Sequence, residues 1–278
     1  MGGWRLRPDD RPDVGVRCHH VRVSTTLTID DHLDALRTSV ARLLDVAANA
    51  PQSTPVPTCP RWDLRALIAH VVMVHAWAAE NVRGREGPPA RTQTELRRSD
   101  EDLALLLAAG ADDLVDAIRT APAEAAAMVF LLDAPPPRAF WARRQAHETT
   151  IHAADALSAA LGRMPTAAES AIAPALAVDG IDELVQGFLP RGASRWRVDE
   201  PFSIAVVPTD ADVAWTLDIS AASVEVDTTP RRNSPGCRFS GTAAELYLGL
   251  WNRGGDIRQS GRPGTLEMWH AVQRVRWS

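Results

Sequence analysis

The hydrophobic period of this chain changes between its two halves, and that change limits the folds open to it. Up to about residue 161 apolar residues recur every three to four positions; from Phe202 to Val226 they recur every second position. In the first regime Thr28 and Asp31 read as a capping box, and Leu33, Leu36, Val40, Leu43 and Ala47 follow at helical spacing. The Pro-rich stretch 50–60 closes this helix. A second helix is predicted from about Asp63 to Val82, with Leu64, Leu67, Ile68, Val71, Val74 and Trp77 inward. A third should open at an N-cap Ser99 and carry Leu103, Leu106, Leu107, Leu114 and Ile118. A fourth follows PPPR (135–138), from about Ala139 to Leu161, with Gly162 where a C-cap glycine belongs. Four apolar stripes of this kind predict an all-α bundle.

Residues 163–192 read as helical and bridge to the second regime. There Phe202, Ile204 and Val206 alternate with small or polar residues, as do Val213, Trp215, Leu217 and Ile219, and then Val224 and Val226. Helical patterns return at 242–253 and 263–275. The chain of 278 residues therefore divides into two domains: a helical bundle over 28–165, and linking helices with a small α+β domain over 166–278. Residues 1–27 show no period and read as a flexible extension, in which Cys18, His19 and His20 are exposed tail rather than a metal site.

Composition removes several function classes. The formal net charge is −5, which disfavours a general nucleic-acid binder, since phosphate neutralisation needs a basic face. Three cysteines, Cys18, Cys59 and Cys237, form neither a disulfide framework nor a zinc ribbon. No apolar run reaches the ~18–20 residues of a membrane helix, and the N-terminus has no signal-peptide core, so the cytoplasm is the expected compartment. No feature marks an oligomeric interface.

Chemistry concentrates in ARRQAHETTIHAADA, residues 142–156. Glu148 and His152 lie four residues apart, within ~40° on a helix, and Asp155 and Arg144 fall on the same face. His147 and His152, five apart, sit about 140° from each other and do not easily reach one ion, so this is not the zincin pattern. His147 is assigned to packing or to hydrogen bonding behind the ligands. A third ligand must come from another helix. His70 is the best candidate, on the stripe of Leu67, Val74 and Trp77; His75, on the other side of that helix, is its rival. Two histidines and a carboxylate leave an open position, the pattern of a catalytic site. Zinc fits best, with nickel, cobalt and ferrous iron as alternatives.

At these residues the sequence resembles the mycothiol-dependent maleylpyruvate isomerase family, a branch of the DinB-like metalloproteins. Two stretches carry the resemblance: VPTCPRWDLRALIAHVVMVHAWA (55–77) and RRQAHETTIHAADA (143–156). A third, ELYLGLWNRGGDIRQSGRPGTLEMW (245–269), is similar to that family's C-terminal domain, although Arg262–Pro263 stands where an acidic residue is expected. The resemblance implies a DinB-like four-helix bundle with a sterol-carrier-like α+β domain, metal ligands His70, Glu148 and His152, and mycothiol as thiol cosubstrate. The all-arginine basic set, with no lysine, fits the high-GC actinobacterial source that mycothiol implies. Arg144 and Arg253 become the handles for acidic groups, because their planar forks grip carboxylates. Asp155 becomes the acceptor that orients His152. Trp62 and Trp77 read as packing anchors, and Cys59, with no base spaced to activate it, is not the expected nucleophile.

The first functional reading is a metal-dependent enzyme in which a thiolate attacks an electrophilic small molecule, as an S-transferase or as a cis–trans isomerase. Two readings stand beside it: a hydrolase that uses metal-activated water, and a non-catalytic, metal-stabilised module that binds a small molecule.

Overall fold

A computed structural model describes residues 27–131, 134–191, 196, 198–228 and 236–273. The tail cluster Cys18, His19 and His20 lies outside the described residues. Among the described residues no helix is long and apolar enough to cross a membrane.

The predicted capping box forms: Asp31 N donates to Thr28 Oγ1 at 3.2 Å, and Thr28 N donates to Asp31 Oδ2 at 2.7 Å. It opens α1 (Ile29–Asn49). Asp63 caps α2 (Leu64–Val82) by accepting from Ala66 N at 2.8 Å. The third helix begins differently from the prediction. Thr92 and Glu95 form a second capping box that starts a short α3 (Gln93–Arg98), Ser99 ends it as the C-cap, and Asp102 caps α4 (Leu103–Thr120). The TQTE box is a legible signal; its helix is too short to show a period. α5 (Pro137–Leu161) opens with proline at its first turn and closes on Gly162 in the left-handed conformation, φ 67°.

α1, α2, α4 and α5 enclose one core, built on Leu33, Leu36, Leu43, Leu64, Leu67, Leu107, Leu114 and Trp141. α5, like α2, is buried on nearly every side, and unlike α2 it carries Arg144, Glu148 and Asp155 there. Its alanines allow close approach, and its Ile151 and Ala154 already belong to a second core. The bridging segment is helical, as expected: α6 (Ala167–Ser170), α7 (Pro174–Asp182) and a π-helical turn (Glu183–Phe188).

The second core lies under a five-stranded sheet of order β3-β2-β1-β4-β5, with β1 (Phe202–Pro208), β2 (Trp215–Ile219), β3 (Val224–Asp227), β4 (Cys237–Gly241) and β5 (Arg258–Gly261). β1 and β4 are parallel; the other neighbours are antiparallel. Register puts Ile204 beside Leu217 and Cys237, and Val206 beside Trp215 and Phe239, so one face of β1, β2 and β4 is apolar. α8 (Ala243–Leu250) and α9 (Thr265–Val272) supply Leu246, Tyr247, Leu250 and Trp269 to this core. Val213 precedes β2 rather than joining it. β4 and β5 were not foreseen, because only two apolar residues alternate in CRFSG and none in RQSG.

α7 and α8 meet closely. A Cβ placed on Gly180 would stand 2.3 Å from Tyr247 Cε2. Tyr247 is fully buried and its hydroxyl is 3.1 Å from His147 Nδ1, so the ring has nowhere to yield. Gly180→Ala should therefore destabilise the protein by ~1–3 kcal/mol through overpacking. Gly110→Ala in α4, whose new Cβ would meet nothing closer than 4.0 Å, should stabilise by up to ~1 kcal/mol. Denaturant unfolding of the two variants checks both signs.

Candidate functional site

The polar face of α5 cannot reach solvent, so its partners must come from within. Toward α2, His70 Nε2 is 3.3 Å and His152 Nε2 is 3.1 Å from the same oxygen, Glu148 Oε1. His70, Glu148 and His152 offer ligand atoms that all lie within 4.8 Å of one another, and all three residues are buried. The other Glu148 oxygen, Oε2, accepts from Arg144 Nη2 at 3.1 Å. Burial alone would raise the Glu148 carboxyl; hydrogen bonds from His152 and His70 outweigh it and hold the group well below the usual carboxylate range.

His152 is gripped on both ring nitrogens, with Nδ1 2.9 Å from Asp155 Oδ2. Burial opposes charge on this ring, yet the bonds to Asp155 and Glu148 prevail and raise it to about 9. His70 goes the other way: burial lowers it despite the pull of Glu148. His75 is separate from this group. It bonds Thr149 Oγ1 at 2.9 Å, is fully buried, and is pushed down by burial to about 4, which makes it a neutral core histidine.

Arg253 and Asp155, 98 residues apart in sequence, meet here, Nε to Oδ1 at 2.9 Å and Nη2 to Oδ2 at 3.3 Å. Arg253 keeps 18% of its side chain exposed, whereas Asp155 has none. Arg144 is only 1% exposed. Its two arms bind Glu148 and Glu183, and its guanidinium lies 5.0 Å from the Phe188 ring centroid and 5.6 Å from that of Trp251. Both of its amino groups face protein carboxylates, so this arrangement makes it an internal tie rather than a handle for a substrate.

A family model described as the mycothiol maleylpyruvate isomerase N-terminal domain matches residues 33–157, and one described as the MDMPI C-terminal domain matches 175–267. The chain belongs to the mycothiol maleylpyruvate isomerase family. A crystal structure of the mycothiol-dependent maleylpyruvate isomerase is 18% identical, with a TM-score of 0.57, covering 84% of this chain and 93% of that one. A histidine-to-alanine mutant of that isomerase is 16% identical, with the same TM-score and coverage. At these identities the two structures support the fold alone. No curated protein matches the chain.

Several residues of this family member's site were not read as such from the sequence. Trp62 packs against the bundle core, as expected, and it also lies 4.9 Å from the His70 ring and 6.0 Å from the His152 ring, so it forms one wall of the site. Trp77 does pack in the core, 5.2 Å from Trp141. Glu183, Phe188 and Trp251 surround Arg144. A second buried group stands behind the first: His32 Nε2 at 2.9 Å, His147 Nε2 at 2.7 Å and Arg143 Nε at 3.0 Å all reach Asp179 Oδ2. His147 hydrogen-bonds Asp179 and Tyr247 rather than the His70–Glu148–His152 group, and with His32 and Asp179 it offers a second set of ligand atoms within 4.8 Å of one another.

Cys59 also borders the site, with Sγ 3.5 Å from Asp155 Oδ2 and 3.6 Å from Arg253 Nη2. Burial, and then the charge of Asp155, push its thiol up to about 12. Its thiolate is therefore scarce at neutral pH, and higher intrinsic nucleophilicity recovers only part of the deficit, so Cys59 should alkylate roughly 100-fold more slowly than free cysteine. Peptide-resolved iodoacetamide labelling at pH 7.5 measures this, and the rate should climb through pH 9 without a plateau.

Proposed function

We propose that this chain is a mycothiol-dependent metalloenzyme in which a thiolate attacks an electrophilic small molecule, giving S-transfer or the cis–trans isomerisation of a maleylpyruvate-like substrate. The observation that carries this reading is the convergence of His70, Glu148 and His152 in a buried cluster whose formal charges do not balance. Five carboxylates, Glu148, Asp155, Asp179, Asp182 and Glu183, are buried among the described residues. The arginines bound to them are Arg143, Arg144 and Arg253. With protonated His152 counted beside the three arginines, one negative charge is left over. A divalent cation that displaces the His152 proton would neutralise it, and buried charge is costly to leave uncompensated. The donor set, two imidazoles and one carboxylate oxygen, suits zinc.

A divalent cation held by His70, Glu148 and His152 would supply the Lewis acidity that keeps a bound thiol in its reactive, ionised form. The chain's residues do the rest. Asp155 fixes the His152 ring by accepting from Nδ1, which aims Nε2 into the cluster. Arg144 holds Glu148 Oε2, which leaves Oε1 toward the histidines. Trp62 walls off one side with an apolar face and limits water there. Isomerisation needs one C–S bond to form and later break, with rotation about the former double bond in between, while negative charge builds on the substrate's carbonyl oxygen. Arg253, partly exposed beside Asp155, is the cation placed at the rim for that charge or for a substrate carboxylate. On this reading residues 28–165 are a DinB-like four-helix bundle and residues 166–278 carry a sterol-carrier-like domain that lends Arg253 to the site.

Purified protein should carry about one equivalent of zinc or a similar metal by mass spectrometry, and His152→Ala should lose it together with mycothiol binding. Incubation with mycothiol and maleylpyruvate should yield the trans isomer, or a stable thioether with another electrophile; turnover without any thiol would support the hydrolase instead. A wild-type protein that takes up no metal even on reconstitution would sink the reading. The pH dependence has a definite sign. Metal-free His152 keeps its proton up to about 9, so a cation must displace that proton, and zinc affinity should rise roughly tenfold per pH unit below that value. Chelator competition from pH 6 to 8 checks the slope.

A further inference from the structure

Glu183 lies outside every motif read from the sequence, yet it is the second carboxylate on Arg144. It is 3% exposed, and it begins the π-helical turn whose last residue, Phe188, packs on the same guanidinium. π-Helical turns are rare and concentrate where function needs a side chain re-aimed. An unopposed arginine beside a buried carboxylate takes it with both arms, because the fork-to-fork pair is the stronger geometry. Arg144 does not do this to Glu148. Glu183 occupies Nη1, only Nη2 reaches Glu148 Oε2, and Oε1 is left toward His70 and His152. Phe188 and Trp251 hold the guanidinium from its surroundings. From this geometry we infer that Glu183 is a positioning residue for the metal centre: by holding one arm of Arg144 and sharing its charge, it keeps Glu148 a one-oxygen donor with its charge available to a cation.

This inference rests on the metal-binding reading above. It also differs from a merely structural role in a measurable way, because Glu183 acts only through Arg144. Zinc affinity is measured by chelator competition on the full chain for wild type, Glu183→Gln, Arg144→Met and the double variant. Glu183→Gln keeps the shape and removes the charge, and should weaken zinc binding about 10- to 100-fold, the usual effect of losing a residue behind a ligand. Adding Arg144→Met should restore most of that loss, since the arm that would capture Glu148 is gone. In the Arg144→Met background Glu183→Gln should change affinity less than about twofold, a comparison that holds even where the single Glu183 variant folds poorly. Wild-type affinity in Glu183→Gln, or a double variant that binds zinc more weakly than either single one, overturns the inference while leaving the metal reading intact. A wild type that binds no zinc overturns both.

Discussion

The burial of a polar helix face governs the rest of this structure. α5 carries Arg143, Arg144, His147, Glu148, His152 and Asp155 into the interior, where an ionised group without a partner costs several kcal/mol. Every neighbouring element is conscripted to meet that cost. α1 sends His32, α2 sends His70, α7 sends Asp179 and Asp182, the π-helical turn sends Glu183, and α8 with the loop after its cap sends Tyr247 and Arg253. Packing and electrostatics are therefore one problem here, and the position of α5 between the two hydrophobic cores is its solution.

The same constraint couples the two halves of the chain. The proposed metal ligands come from α2 and α5, but the groups hydrogen-bonded around them come in part from beyond residue 166. Arg253 neutralises Asp155, which orients His152; Glu183 holds Arg144, which orients Glu148. The helical half alone would keep the three donors and lose the cations and carboxylates that fix them. Partners of this kind commonly matter as much to a metal site as the ligands themselves. The high pKa of metal-free His152 follows from the same wiring, since two carboxylates flank one ring.

The sequence by itself determined the main element types and which polar residues share a face of the buried helix. Period 3.6 before residue 161 and period 2 after 202 come directly from which face of each element is buried, so α1, α2, α5 and β1 were legible, as was the capping box at Thr28. Helical spacing aligned Glu148 with His152 and Asp155, and the apolar stripe of α2 made His70 stand out, because both are properties of a single helix. Tertiary structure alone decided what each charged side chain faces. Arg144 read as a handle for substrate, and folding brought Glu183 to its other arm from thirty-nine residues away. Trp62 read as a packing anchor, and folding both packed it on the core and set it against two candidate ligand rings. His32 and Asp179 carried no signal in isolation, yet they are 147 residues apart and hydrogen-bonded. β4 and β5 were invisible because a strand of four or five residues gains its stability from its neighbours in the sheet rather than from its own pattern. Periodicity records how a segment meets the core, whereas the pairing of buried charges depends on distances between segments, and those exist only once the chain has folded.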